Sequence, residues 1–200
     1  MKAAAIRLRL VGVVLCTLAA CQPLTRPAQP GPWSARKTEL QALNDWRFDG
    51  RVAVAGVGSG ASAGIRWKQT QMRSDVSVFG ALGAGAMRIA LDGTRLHVET
   101  SAGEAVDDEA AARALADRLG APLPLAELRY WLLGVAAPGS DATEVLGGNQ
   151  RLSALTQEGW EVKFTEYQPV AGDLLPARLE AAQGDVRVRL RISHWEWRRQ

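Results

Sequence analysis

Beyond residue 50 the chain changes sides at every step. Val52 and Val54 alternate with small residues, and Ala63, Ile65 and Trp67 oppose Gly64, Arg66 and Lys68. Val76 and Val78 oppose Asp75 and Ser77; Met87, Ile89 and Leu91 face away from Arg88 and Asp92, and Leu96 and Val98 from Arg95, His97 and Glu99. After a break the pattern returns at Leu152 to Thr156, at Trp160, Val162 and Phe164, at Leu175, Ala177 and Leu179, and at Val186, Val188, Leu190 and Ile192. A period of two in short runs bounded by Gly, Pro or Asp predicts antiparallel strands with one dry and one wet face. Three segments break the period. Leu40, Leu43 and Trp46 fall at helical spacing and predict a helix over 33–46, with Ser34 as N-cap and its charged residues outside. The alanine-rich stretch 107–119, with Leu115 and Leu119 four apart and Gly120 after it, predicts a second helix. Pro124 opens a third, 124–133, ended by Gly134. The expected fold class is mainly β with helices (α+β): around ten strands in a single curved antiparallel sheet, an open, incomplete barrel with helices packed across its mouth.

The first 32 residues belong to neither pattern. Lys2, Arg7 and Arg9 precede an apolar run from Leu10 to Ala20, too short for a bilayer core, which needs roughly 20 residues. Leu18-Ala19-Ala20-Cys21 then reads as a lipoprotein signal: cleavage before Cys21 and acylation of its thiol. Gln22, in place of the aspartate that retains lipoproteins at the inner membrane in many enteric bacteria, favours onward export. The expected domains are a signal peptide over 1–20, lipidated Cys21 with a Pro-rich tether over 21–32, and one folded domain over 33–200. Cleavage alters the charge balance. The chain carries 24 basic and 21 acidic residues, and loss of Lys2, Arg7 and Arg9 leaves 21 against 21. The basic excess that would hint at nucleic acid therefore leaves with the signal, and no nucleic-acid partner is expected. Cys16 leaves too and Cys21 becomes a thioether, so no thiol remains for a disulfide or a metal.

Gly60-Ala61-Ser62-Ala63-Gly64 matches the G-x-S-x-G of a nucleophile elbow, which would make Ser62 the nucleophile of a serine esterase. That device needs a strand before the serine and a helix after it. Here the serine is followed by Ile65-Arg66-Trp67-Lys68-Gln69, a strand by period, so a small-residue hairpin is the better reading. Gly56 to Ala61 fits a loose dinucleotide pattern but also lacks the succeeding helix. His97 and His194 are the only histidines, both expected on the surface, and no metal-ligand spacing occurs. No catalytic residue, cofactor or metal is expected. Two features fit housekeeping less well. Phe79-Gly80-Ala81-Leu82-Gly83-Ala84-Gly85 is a connection whose only large residues are apolar, either folded back as a plug or exposed to a partner or membrane. The seven tryptophans either fill a core or line a wide apolar pocket. The row Arg187, Arg189 and Arg191 either meets a partner protein or lipid head groups electrostatically or is a solvated face paired with Glu161 or Glu180.

At these residues the chain resembles the LolB family, the outer-membrane receptors of lipoprotein localisation. The resemblance runs over nearly the whole mature sequence. It is carried by Leu43-Asn44-Asp45-Trp46 before Gly50-Arg51-Val52-Ala53, Trp67-Lys68-Gln69, Gly80-Ala81-Leu82-Gly83, Leu128-Arg129-Tyr130-Trp131 with Gly134 and Ala137-Pro138, and Gln157-Glu158-Gly159-Trp160. It implies an incomplete barrel with an internal hydrophobic cavity that takes the acyl chains of lipoproteins delivered by the periplasmic carrier LolA. It also implies a monomer anchored to the outer membrane, facing the periplasm, that places cargo in the inner leaflet. Leu82 matches the family's exposed loop leucine, and Phe79 flanks it in the membrane-insertion loop. The family usually has proline where this chain has Ala81. On this resemblance Val52, Val54, Ile65, Trp67, Val76, Val78, Met87 and Ile89 are expected to line the cavity, with Trp131 on a covering helix.

Overall fold

A computed structural model describes residues 33–56, 61–80, 86–119 and 122–197. The signal peptide, Cys21 and the tether expected over 1–32, and Leu82, lie outside the described residues. Eleven strands among the described residues form one antiparallel sheet, in the order β6-β5-β4-β3-β2-β1-β11-β10-β9-β8-β7. Two meanders build it. The first is β1 (Asp45–Ala55), β2 (Ala61–Thr70), β3 (Arg73–Phe79), β4 (Met87–Asp92), β5 (Arg95–Thr100) and β6 (Ala105–Asp107). The second is β7 (Ala142–Leu146), β8 (Leu152–Gln157), β9 (Trp160–Val170), β10 (Asp173–Gln183) and β11 (Val186–Trp197). They join where the first strand pairs with the last, Val52 opposite Leu190 and Trp46 opposite Trp197. Helix α1 (Trp33–Gln41) precedes the sheet, and α2 (Asp108–Leu119) and α3 (Leu125–Leu132) lie between the meanders.

The expected open sheet with covering helices is the fold observed, with differences at its margins. Helix α1 stops at Gln41, and Trp46 is in β1, buried beside Phe48. Its neighbours decide this: Trp46, Phe48, Trp67 and Trp195 pack ring against ring at centroid distances of 5.3 to 6.5 Å. Such a cluster is available only to a side chain on the inner face of the sheet. The short edge strands β6 and β7 were not expected, and β11 runs past Ile192 to Trp197. A bulge opposite Asp49 and Gly50 resets its alternation, so Ile192 and Trp195 both point inward. Gln168 Nε2 donates to the Ile192 carbonyl at 3.1 Å, and Trp195 Nε1 donates to the Pro176 carbonyl at 3.0 Å beside a second bulge. Bulges bend a strand and increase its twist, and here they curl the middle of the sheet. Gly50 is required there, since a Cβ would sit 2.4 Å from the Arg191 carbonyl oxygen.

Polar contacts fasten the helices to the curled sheet. Gln157, buried on β8, accepts from Trp131 Nε1 at 2.8 Å and from the Ala137 amide at 2.9 Å, and donates to the Ala137 carbonyl and to Ser140 Oγ. Its amide is fully used, as burial demands. Gly134, at φ +77°, ends α3 where expected, and an added Cβ would press on Pro176 and Tyr167. Helix α1 departs from expectation on its charged face, for Arg36 is buried with Leu40 one turn on. Arg36 pairs with Asp173 and donates to the Leu174 carbonyl at 2.7 Å, while Arg151 reaches the same Asp173 oxygen at 3.3 Å. Burial lowers the Arg36 pKa, against the pull of Asp173, and burial likewise pushes the Tyr167 phenol upward. Two guanidiniums thus share one buried carboxylate. Asp173→Asn leaves both facing an uncharged group and is expected to cost about 3–5 kcal/mol, read as a lower denaturant midpoint with unchanged slope; an unchanged midpoint would show that the cluster does not hold α1.

Candidate functional site

One end of the curled sheet gathers the strand ends Ala55, Ala61, Phe79 and Met87 with the turns β8–β9 and β10–β11; the other gathers the turns β2–β3, β4–β5 and β9–β10. Helix α1 leads into the second end, where the Asn44 carbonyl accepts from the Gln71 amide at 2.6 Å. Inward-facing side chains are buried in the middle of the wall at Phe48, Ile65, Trp67, Val76 and Ile89. Towards the first end β1, β2 and β3 lose cover, and Val52, Val54, Ala63 and Val78, with Val188 beside them, are only half-buried although they point the same way, whereas Val186, Ala181 and Trp160 at that end stay buried. The gradient marks an apolar cavity of about 390 Å³ that opens at the first end, the mouth. That size falls within the range of small-ligand sites.

All nine residues named from the sequence border this cavity: Val52 and Val54 from β1, Ile65 and Trp67 from β2, Val76 and Val78 from β3, Met87 and Ile89 from β4, and Trp131 from α3. They form only half of its wall. Trp160, Leu179, Ala181, Val188 and Leu190 supply the opposite side from β9, β10 and β11, and Leu115, Leu123, Leu125, Leu128 and Leu132 the cover. Their inward phase was readable in the alternation, but which strands faced one another across the cavity depends on the β1–β11 junction. The Leu128, Trp131, Leu132 spacing on α3 was a usable signal of a covering face. Among the described residues the one charged side chain at the wall is Asp117 on α2.

Phe79 closes β3 on its outer face, with its ring laid across Gly64, where an added Cβ would lie 2.2 Å from a ring carbon. It is 37% exposed at the rim of the mouth, one residue before the connection that carries Leu82. Ser62 is exposed within β2, and among the described residues no histidine bonds to it. His97 Nδ1 lies 2.7 Å from Asp107 and His194 Nε2 3.5 Å from Glu196, both exposed and remote in register from Ser62. Residues 57–60 of the glycine-rich hairpin are outside the described residues. No group of metal-ligating side chains occurs among the described residues.

An open antiparallel half-barrel whose helices cover an apolar cavity belongs to the class of folds that shelter a nonpolar ligand from water. The solved structure of a LolA superfamily protein from Nitrosomonas europaea shares this fold, with a TM-score of 0.53 at 11% identity over 86% of this chain and 96% of that one. So does a putative outer membrane lipoprotein-sorting protein domain from Vibrio parahaemolyticus, at a TM-score of 0.53, 7% identity, and coverage of 82% and 90%. Residues 44–195 match the family model described as Outer membrane lipoprotein LolB, and the chain belongs to that family. Among its relatives, the outer-membrane lipoprotein LolB of Nitrosococcus oceani is 30% identical over 95% of this chain and 97% of its own length. That of Pseudomonas aeruginosa is 31% identical over 96% of each chain. No helix among the described residues is long and apolar enough to cross a membrane.

Ala63→Phe, which projects a ring into the cavity from β2, is expected to weaken binding of a fluorescent fatty acid roughly tenfold or more at an unchanged melting temperature. Equal binding would place the ligand elsewhere.

Proposed function

We propose that the protein receives acylated lipoproteins from the periplasmic carrier LolA, holds their acyl chains in the cavity, and releases them into the inner leaflet of the outer membrane. It acts in lipoprotein localisation as an outer-membrane lipoprotein receptor, held to the membrane as a monomer through acylated Cys21 and facing the periplasm. The observation that carries this reading is an apolar cavity whose cover thins along β1, β2 and β3 from the α1 end towards the mouth.

The need for such a device is physical. A triacylated cargo bears on the order of 40 methylenes, each costing about 0.8 kcal/mol to expose, so crossing water unaided would cost tens of kcal/mol. Passage from one apolar cavity to another avoids the exposure. Release runs downhill if the cavity binds the chains less favourably than the bilayer does, and the partly uncovered valines at the mouth suit that order. Leu82, in the connection just beyond the Phe79 rim, is the residue proposed to enter the membrane as cargo leaves.

The test separates uptake from delivery. Carrier loaded with radiolabelled lipoprotein is mixed with the Cys21→Ala form and with its Leu82→Glu derivative, and label is followed onto the protein and then into liposomes. Both forms are expected to take up label, and Leu82→Glu to fail at incorporation. No movement of label onto either form would refute the receptor reading, and normal incorporation by Leu82→Glu would refute the role of the loop.

A further inference from the structure

The outer face of the wall carries a charge pattern that cavity and family leave unexplained. Successive cross-strand partners place Phe79, Gly64, Arg51, Arg191 and Arg178 in one lateral row over β3, β2, β1, β11 and β10. Five strands at ~4.8 Å make the row about 19 Å long. All three arginines are exposed, and two are each directly opposite the next. Like charges in that position repel, and proteins usually interleave carboxylates. Two rows farther from the mouth do so: Arg66 pairs with Asp49 at 2.7 Å, and Arg47 with Glu196. In the arginine row only Arg178 is paired, to Glu166 at 2.6 Å. Arg189, in the next row, pairs with Glu180 at 2.9 Å. Among the described residues Arg51, Arg187 and Arg191 have no ion-pair partner.

We infer that this face docks on a bilayer surface bearing anionic phospholipid headgroups. The inference rests on the membrane-delivery reading above. Guanidinium groups match phosphate oxygens in charge and geometry. The same row ends in the half-exposed ring of Phe79 at the mouth rim, and an apolar ring beside cationic side chains is the set that holds a surface at the boundary of headgroups and acyl chains. Between ring and cations the surface is smooth, with Gly64, Ser62 and Ala53. Charge complementarity thus comes with an apolar edge, which a wholly acidic protein surface would not use. A member of an outer membrane lipoprotein family also works beside a bilayer, so weak headgroup contacts act at high effective concentration. Docking along this row brings the rim at Phe79, and with it the mouth, against the lipid.

The experiment measures binding of the Cys21→Ala chain to vesicles without cargo. Vesicles of phosphatidylcholine alone are compared with vesicles of two parts phosphatidylcholine to one part phosphatidylglycerol. Binding is expected only to the second, weakening as salt rises. Arg51→Gln with Arg191→Gln is expected to weaken it roughly thirtyfold, whereas Lys68→Gln with Arg95→Gln, an equal change in net charge, keeps the parent affinity. Equal loss in both pairs, unchanged binding in the first pair, or equal binding to both vesicles would overturn the proposal. So would a first pair that binds vesicles normally but no longer accepts cargo from loaded carrier, since the face would then dock a protein. Uptake of label is scored separately, so the receptor reading and the docking face fail on different measurements.

Discussion

An apolar cavity is unstable by the same force that folds the chain. Every inward side chain of the sheet gains by touching another, so the walls should close until the space is filled. They stay apart because the closed end is already packed and the cover is pinned. The rings of Trp46, Phe48, Trp67 and Trp195 occupy the curl of the sheet below the cavity and set how tightly β1, β2 and β11 can wrap. Gln157 fixes Trp131 at the far end of α3 to β8 through one hydrogen bond and the segment after the helix, at Ala137 and Ser140, through three more, so Leu128, Trp131 and Leu132 sit at a set height above the opposite wall. The Arg36–Asp173–Arg151 cluster ties α1 to the turn regions beneath. Packing and buried polar contacts therefore hold the α1 end at Trp46 and Asp173 and the β8–β9 corner at Gln157, and the opening lies beside β1, β2 and β3.

This division of labour links stability to function. Fully buried aromatic and aliphatic residues support the fold, whereas the half-buried valines at the mouth contribute less to it and remain available to a ligand. A site that must release its ligand into a membrane gains from that arrangement. Its apolar lining is incomplete, so on the proposed function a bilayer is left to complete the burial of an acyl chain. The outer face extends the same logic: the rim that opens the cavity also ends, at Phe79, the row that carries Arg51 and Arg191, so the opening and the proposed docking surface occupy one side of the molecule.

How far the sequence went depended on whether a feature was local. Alternation from Val52 to Val98 and from Leu152 to Ile192 is a property of each strand alone, and it revealed the sheet and which side chains point inward, while the cavity itself came from the family resemblance. Trp46 misled because Leu40, Leu43 and Trp46 fit helical spacing, while its true neighbours Trp67 and Trp195 are far along the chain. Arg36 looked like a surface charge because its buried partner, Asp173, is 137 residues away. The strands β6 and β7 are too short to alternate visibly, and the bulge in β11 hid Trp195 by shifting its phase. The opposite wall, from Trp160 to Leu190, became part of the site only once β1 was seen to pair with β11.

The central claim is that acyl chains lie inside this cavity, and the most direct test is where a labelled chain resides. A fatty acid carrying a nitroxide near its methyl end, added to protein with nitrogen-15 indoles, broadens the indole signals of residues close to it. The account predicts loss of the Trp67, Trp131 and Trp160 signals, which border the cavity, with Trp33 and Trp197 retained. Equal broadening of all indoles, or selective loss at Trp33 and Trp197, would contradict it.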